Sequence, residues 1–181
     1  MAVDEGDRTL GLSPLFPRAA SFRNALAQNI MGGNTMLMNR AAAELVAGSA
    51  ASEVPVHDWL TYQLVTGAGG HVHYDPRPFV RYRQHGDNVI GSSLGWKSRW
   101  NRFRRMLRAE YSEWNRLQVA VLQARADVLT SENHEVLDAF QHARLGRSTL
   151  DRMAWLRRSG VYRQKPLEDA MLWLACALGR I

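Results

Sequence analysis

"VPVHDWLTYQLVTGAGG", residues 54 to 70, decides how the first half of this chain is read. Pro55 and the polar start suit a helix opening near His57, because the first turn of a helix leaves N–H groups unused and tolerates a proline beside it. Trp59, Leu60, Leu64 and Val65 then fall along one side of that helix. The run Gly67, Ala68, Gly69, Gly70 ends it, since glycine enters the left-handed conformation of a helix C-terminus without a Cβ clash. Asp58 therefore belongs to a first helical turn, where the helix dipole favours an ionised carboxylate.

Working outward, residues 22 to 29 read as a short helix, and "NTMLMN", following Gly32 and Gly33, as a short buried strand or turn. "RAAAELVAGSA" is a helix with glycine near its end. "HVHYDPRPFVRYRQH" alternates and is rich in Val, Tyr and Phe, which predicts one or two short strands broken by Pro76 and Pro78. Beyond Gly91 the pattern is helical nearly to the end, with breaks near residues 130–131, 146–148 and 159–166. No internal repeat is visible.

At 181 residues with 46% hydrophobic and 22% charged residues, the chain has the balance of one globular domain with a real core, or of a smaller domain with a helical appendage. Its single cysteine, Cys176, excludes an internal disulfide and reads as a small core residue; no Cys/His cluster indicates structural zinc. The N-terminus lacks the apolar run of a secretory signal, and "AMLWLACAL" is too short to span a bilayer, so a cytoplasmic location is expected. The net charge of +6 is uneven: residues 1–91 hold seven bases and eight acids (−1), residues 92–116 seven and two (+5), and residues 117–181 nine and seven (+2).

The order of these pieces, a Gly-Gly-Asn turn before a strand and a helix, "HDW" on a helix start, a glycine-rich turn, a strand and then "YRQHGDNVIG", resembles the C-terminal part of the catalytic domain of family-2 glycosyltransferases, especially the rhamnosyltransferase-like members. The resemblance runs from about Phe22 to Gly91, and more loosely through the helical tail. It implies a fold that is α/β-derived and mainly helical: residues 1–91 as the acceptor-side, C-terminal portion of a GT-A nucleotide-diphospho-sugar transferase domain, and residues 92–181 as a helical tail. It also implies an inverting transfer of a sugar, such as rhamnose, from a nucleotide-sugar to a saccharide or lipid-linked acceptor in cell-envelope polysaccharide synthesis.

By the same resemblance, Asp58 matches the general base that takes the proton from the acceptor hydroxyl, a poor nucleophile until it is deprotonated. Its commoner role at a helix start is that of an N-cap or first-turn acid. Gly32, Gly33 and Asn34 match a loop near the donor sugar, where a missing side chain lets backbone approach a ligand; a plain tight turn is the alternative. His57 and Trp59 would flank the base, the indole as a platform for an acceptor sugar, and Arg83 would face the diphosphate. His85 matches the histidine that reaches the donor's metal, as against an ordinary surface or core histidine. His71 and His73 alternate like a ligand pair, but no third ligand accompanies them.

The sequence departs from the family in one large respect. Members carry about 90 to 100 residues before this point, comparable with one nucleotide-binding half of an α/β domain. Those residues hold the nucleotide pocket and the Asp-x-Asp metal motif. Here "DEGD" at residues 4–7 is not Asp-x-Asp, and no apolar strand is expected before it. The chain thus reads as truncated, inactive alone and in need of a separate donor-binding half; magnesium or manganese is expected only with that half.

"WKSRWNRFRRMLRAEYSEW" reads as a basic amphipathic helix over residues 96–116. Trp96 and Trp100 lie on its apolar stripe, bordered or opposed by Arg104, Arg105 and Arg108. Such a helix suits an anionic membrane surface, which would make the protein peripheral on the inner face of the plasma membrane. A core-packing stripe with a solvated arginine face is the alternative. The whole chain as a non-catalytic membrane-surface or partner-binding module is a second function class. Nucleic-acid binding is disfavoured, because charge outside this segment is nearly balanced and no binding fold is recognised.

Overall fold

The computed structural model describes residues 1–49, 54–83 and 110–181. Its elements are β1 (Ala2–Val3), β2 (Thr9–Gly11), α1 (Phe22–Ala25), α2 (Arg40–Ala47), α3 (His57–Gly67), β3 (Tyr82–Arg83), α4 (Glu110–Ala124), α5 (Ser131–Leu145), α6 (Thr149–Ser159) and α7 (Pro166–Ala177). The described part is mainly helical with one small sheet, ordered β2-β1-β3. In it β1 runs antiparallel to β2 and parallel to β3.

Local chemistry sets most helix ends. Ser21, Asn39, Thr130 and Ser148 each accept a backbone N–H three residues on, opening α1, α2, α5 and α6. Gly160, with φ of 63°, closes α6, and Pro166 stands in the first turn of α7. The helix breaks expected near residues 130–131, 146–148 and 159–166 are all present.

One apolar core crosses the boundary expected at residue 91. Phe22, Leu26, Leu60 and Leu64 from the first part pack with Val119, Leu122, Val136, Leu137, Phe140, Leu156, Leu172 and Cys176 from the C-terminal helices. Polar contacts reinforce the join: Asn133 of α5 donates to the carbonyls of Thr66 and Gly67 at 3.1 and 3.0 Å, closing the C-terminus of α3.

Of the strand or turn expected for "NTMLMN", the turn is present, as a 3-10 turn at residues 33–35, but the segment is not buried, and Leu37 is fully exposed. Of the one or two short strands expected from residue 71 onward, one is present among the described residues, Tyr82–Arg83, beyond the two prolines. One expectation is corrected outright: the acidic N-terminus does have strands on either side of it. Ala2 and Val3 are buried and pair with both Thr9–Gly11 and Tyr82–Arg83, a partnership too short to show as a periodic pattern. Among the described residues no helix is long and apolar enough to cross a membrane.

Candidate functional site

The site is built on the contact between α1 and α3. The Trp59 indole N–H donates to the carbonyl of Ala25 at 2.6 Å, and the Gln63 amide donates to the same oxygen at 3.1 Å. From α4, Asn115 donates to the next carbonyl, that of Leu26, at 2.7 Å. These carbonyls at the end of α1 lack helical partners, and the three side chains supply them. Tyr62, one turn along α3 from Asp58, places its hydroxyl between the Ser21 N–H and the Asn24 side chain. Burial pushes that hydroxyl's pKa well above the usual phenol range. The first turn of α3 is thereby held over residues 29–35.

At that place the Asp58 carboxylate bridges to the loop. Its Oδ1 accepts from Asn29 Nδ2 at 3.0 Å and its Oδ2 from the Gly33 N–H at 2.9 Å. Asn29 uses its own Oδ1 to accept from the Met31 N–H at 2.9 Å. Thr35 then ties back to the Gly32 carbonyl through its N–H at 2.8 Å and its hydroxyl at 3.0 Å. Asp58 is not the N-cap of its helix: that position is Val56, which makes no side-chain capping bond. The carboxylate instead spends one acceptor site per oxygen on the loop, and each oxygen retains a second lone pair. The Asp58 residue is half-buried.

Gly33 is the point where three candidates meet. A Cβ added there would stand 2.8 Å from His57 Nε2 and 3.7 Å from Asp58 Cβ. The exposed His57 ring thus lies against bare backbone beside the carboxylate. Gly32 precedes this contact and Asn34, exposed, follows it in the 3-10 turn. The structure brings together Asp58, His57, Gly32, Gly33 and Asn34, which the sequence holds in two stretches.

Trp59 departs from its expected role. It is 5% exposed with its N–H bonded to Ala25, so the ring packs inside the fold and offers no open platform. Arg83 is exposed on β3 and pairs with Asp7 at 3.3 Å. His71 and His73 are exposed, and among the described residues no group of three His, Cys, Asp or Glu can hold a metal ion. His85, Trp96, Trp100, Arg104, Arg105 and Arg108 lie outside the described residues, as does most of the segment expected to form the basic helix.

Asn29 is the site residue that sequence reasoning missed. It stood only as the last position of an expected helix; α1 ends at Ala25, and this releases Asn29 into the loop. A local signal did exist, an Asn three residues before a Gly-Gly pair, but its partner lies 29 positions away.

Comparison with known proteins gives one partial likeness. Eighty residues, 44% of this chain, are 29% identical to the dTDP-rhamnosyl transferase RfbG of Shigella flexneri. The matched stretch spans 26% of that protein's length. Part of this chain is thus similar to a glycosyltransferase. No family model and no solved structure matches the chain.

Proposed function

We propose that this chain is the acceptor-side portion of an inverting, sugar-nucleotide-dependent glycosyltransferase of GT-A type, with Asp58 as its general base. The observation that carries the reading is the half-buried Asp58 carboxylate, fixed by Asn29 and Gly33 beside exposed His57. The partial likeness to a dTDP-rhamnosyl transferase supports a nucleotide-activated sugar such as rhamnose as donor, and a saccharide or lipid-linked saccharide as acceptor.

In this mechanism the acceptor hydroxyl hydrogen-bonds to the free side of the carboxylate. Asp58 takes its proton as the oxygen attacks the anomeric carbon, the bond to the nucleoside diphosphate breaks, and the configuration inverts. His57 sits where it can hydrogen-bond a second hydroxyl of the acceptor. Gly33, having no side chain, lets the His57 ring lie against its backbone and so keeps that ring beside the carboxylate. The 181 residues contain no Asp-x-Asp, and a divalent metal would come with the donor-binding half.

The test is to co-express the chain with a donor-binding half that carries Asp-x-Asp and to measure sugar incorporation into membrane-bound acceptor. Transfer dependent on this chain and abolished by Asp58→Asn is the expected result. Transfer unchanged by Asp58→Asn removes Asp58 as the base.

A further inference from the structure

We infer that Asn29 is the positioning residue of this site, fixing with one side-chain amide both the plane of the Asp58 carboxylate and the start of the Gly32–Gly33 loop; its catalytic meaning rests on the transfer reading above. An Asn side chain carries a donor and an acceptor in one plane. Here the donor goes to Asp58 Oδ1 and the acceptor to the Met31 N–H. The chain enters this position from a fixed base, since Trp59, Gln63 and Asn115 hold the carbonyls of Ala25 and Leu26 just before it.

The two donors reach the carboxylate at different oxygens, Asn29 at Oδ1 and the Gly33 N–H at Oδ2. Rotation about the Asp58 Cβ–Cγ bond breaks both contacts at once. The orientation of the carboxylate is thereby fixed relative to the loop. A general base needs this, because a displacement of about 1 Å at the reacting atoms costs roughly 100-fold in rate.

The informative substitution is Asn29→Asp, which has the same shape and keeps the acceptor for Met31 N–H but faces Asp58 with a second carboxylate in place of the donor. Asn29→Ala removes the side chain without adding charge and serves if Asn29→Asp does not fold. The readout that needs no activity is the Gly33 amide proton in nitrogen-15 spectra of the full chain, because a hydrogen bond to a carboxylate moves that proton downfield. It is expected to move upfield in Asp58→Asn, and to move likewise in Asn29→Asp and Asn29→Ala. A Gly33 amide that shifts in Asp58→Asn but holds its place in both Asn29 variants overturns the positioning role, and one unmoved in all three overturns the clamp itself.

In the co-expression assay, Asn29→Ala should lower kcat roughly 100-fold while leaving KM for donor and acceptor within about twofold. An unchanged kcat, or a loss confined to KM, counts against positioning. Failure of the transfer reading looks different. Asp58→Asn would then retain full transfer while the Gly33 amide still responded to Asn29.

Discussion

Gln164 donates its side-chain amide to Asn24 Oδ1 at 3.2 Å, joining positions 140 residues apart inside the core. The same Asn24 oxygen accepts from the Tyr62 hydroxyl at 3.1 Å, and the Asn24 amide donates to the carbonyl of Tyr162 at 3.1 Å. Asn24, Tyr62 and Gln164 are all at most 1% exposed. One Asn side chain thus satisfies buried groups from α3 and from the loop before α7.

Replacing Asn24 with Leu should therefore be among the most damaging single changes in the protein. It keeps the branched shape, though with bulkier methyl groups, and leaves the Tyr62 proton, the Gln164 amide and the Tyr162 carbonyl without that partner. Each buried polar group left unmade costs about 1–3 kcal/mol, so a loss of about 3 kcal/mol or more is expected. Urea denaturation should show a lower midpoint with an unchanged m-value. A loss under about 1 kcal/mol would mean that the network relaxes onto other partners.

Tyr62 makes stability depend on pH on the alkaline side. Its folded pKa is raised, chiefly by burial, with the Ser21 N–H opposing and Tyr162 adding to the rise. The unfolded chain ionises this phenol near its ordinary value of about 10, whereas the folded chain keeps it neutral. Stability from this group is thus complete below about pH 10 and is lost as pH rises beyond it toward the folded value. Melting temperatures followed from pH 8 to 11 should fall at the upper end. Tyr62→Phe should be less stable at pH 8 yet show a shallower fall; an equal slope in both proteins would exclude Tyr62 as the source.

Much of the helical architecture was legible because its determinants are local. Thr130, Ser148 and Gly160 announce their helix ends within three residues, and Gly67 to Gly70 announce the end of α3. What was not legible depends on partners far along the chain. Ala2 and Val3 form a strand because Tyr82 and Arg83 lie beside them, and Leu37 is exposed although its neighbours look like a buried run. At the site, the sequence pointed to Asp58 and to the glycine loop separately. It was silent on Asn29, on the bond that joins loop to acid, and on the burial of Trp59, because each is a tertiary contact of 25 to 34 positions.

Cys176, the sole cysteine, reports on opening of the core. It is fully buried among the C-terminal helices, and burial raises its thiol pKa, with Arg152 opposing. A thiolate-directed reagent should leave the native protein nearly unlabelled and modify the denatured chain rapidly. In intermediate urea, the labelling rate should follow the global unfolding equilibrium, because the residue belongs to the shared core. Rapid labelling without denaturant would show that α7 opens independently.

Two glycines, each crowded by side chains, should respond differently to the same substitution. At Gly67 a new Cβ would stand 2.6 Å from Leu129 Cδ2 and 3.1 Å from Phe22 Cε2, where α3 meets the core. Alanine gains about 1 kcal/mol over glycine within a helix, but overpacking costs about 1–3 kcal/mol, and at this last helical position the packing cost should prevail. At Gly33 the close neighbour is the Nε2 end of exposed His57, which can swing into solvent, and the backbone there does not require glycine's left-handed freedom. Gly33→Ala should therefore change stability by no more than about 0.5 kcal/mol. Its effect should fall on the site instead, since the ring displaced from the glycine is the one beside Asp58. Thermal melts of the two variants separate the cases: Gly67→Ala melts lower, Gly33→Ala near the parent. In the co-expression assay Gly33→Ala should lose transfer despite its normal melting, and full transfer from a folded Gly33→Ala would show that the placement of His57 over the loop does not matter to the reaction.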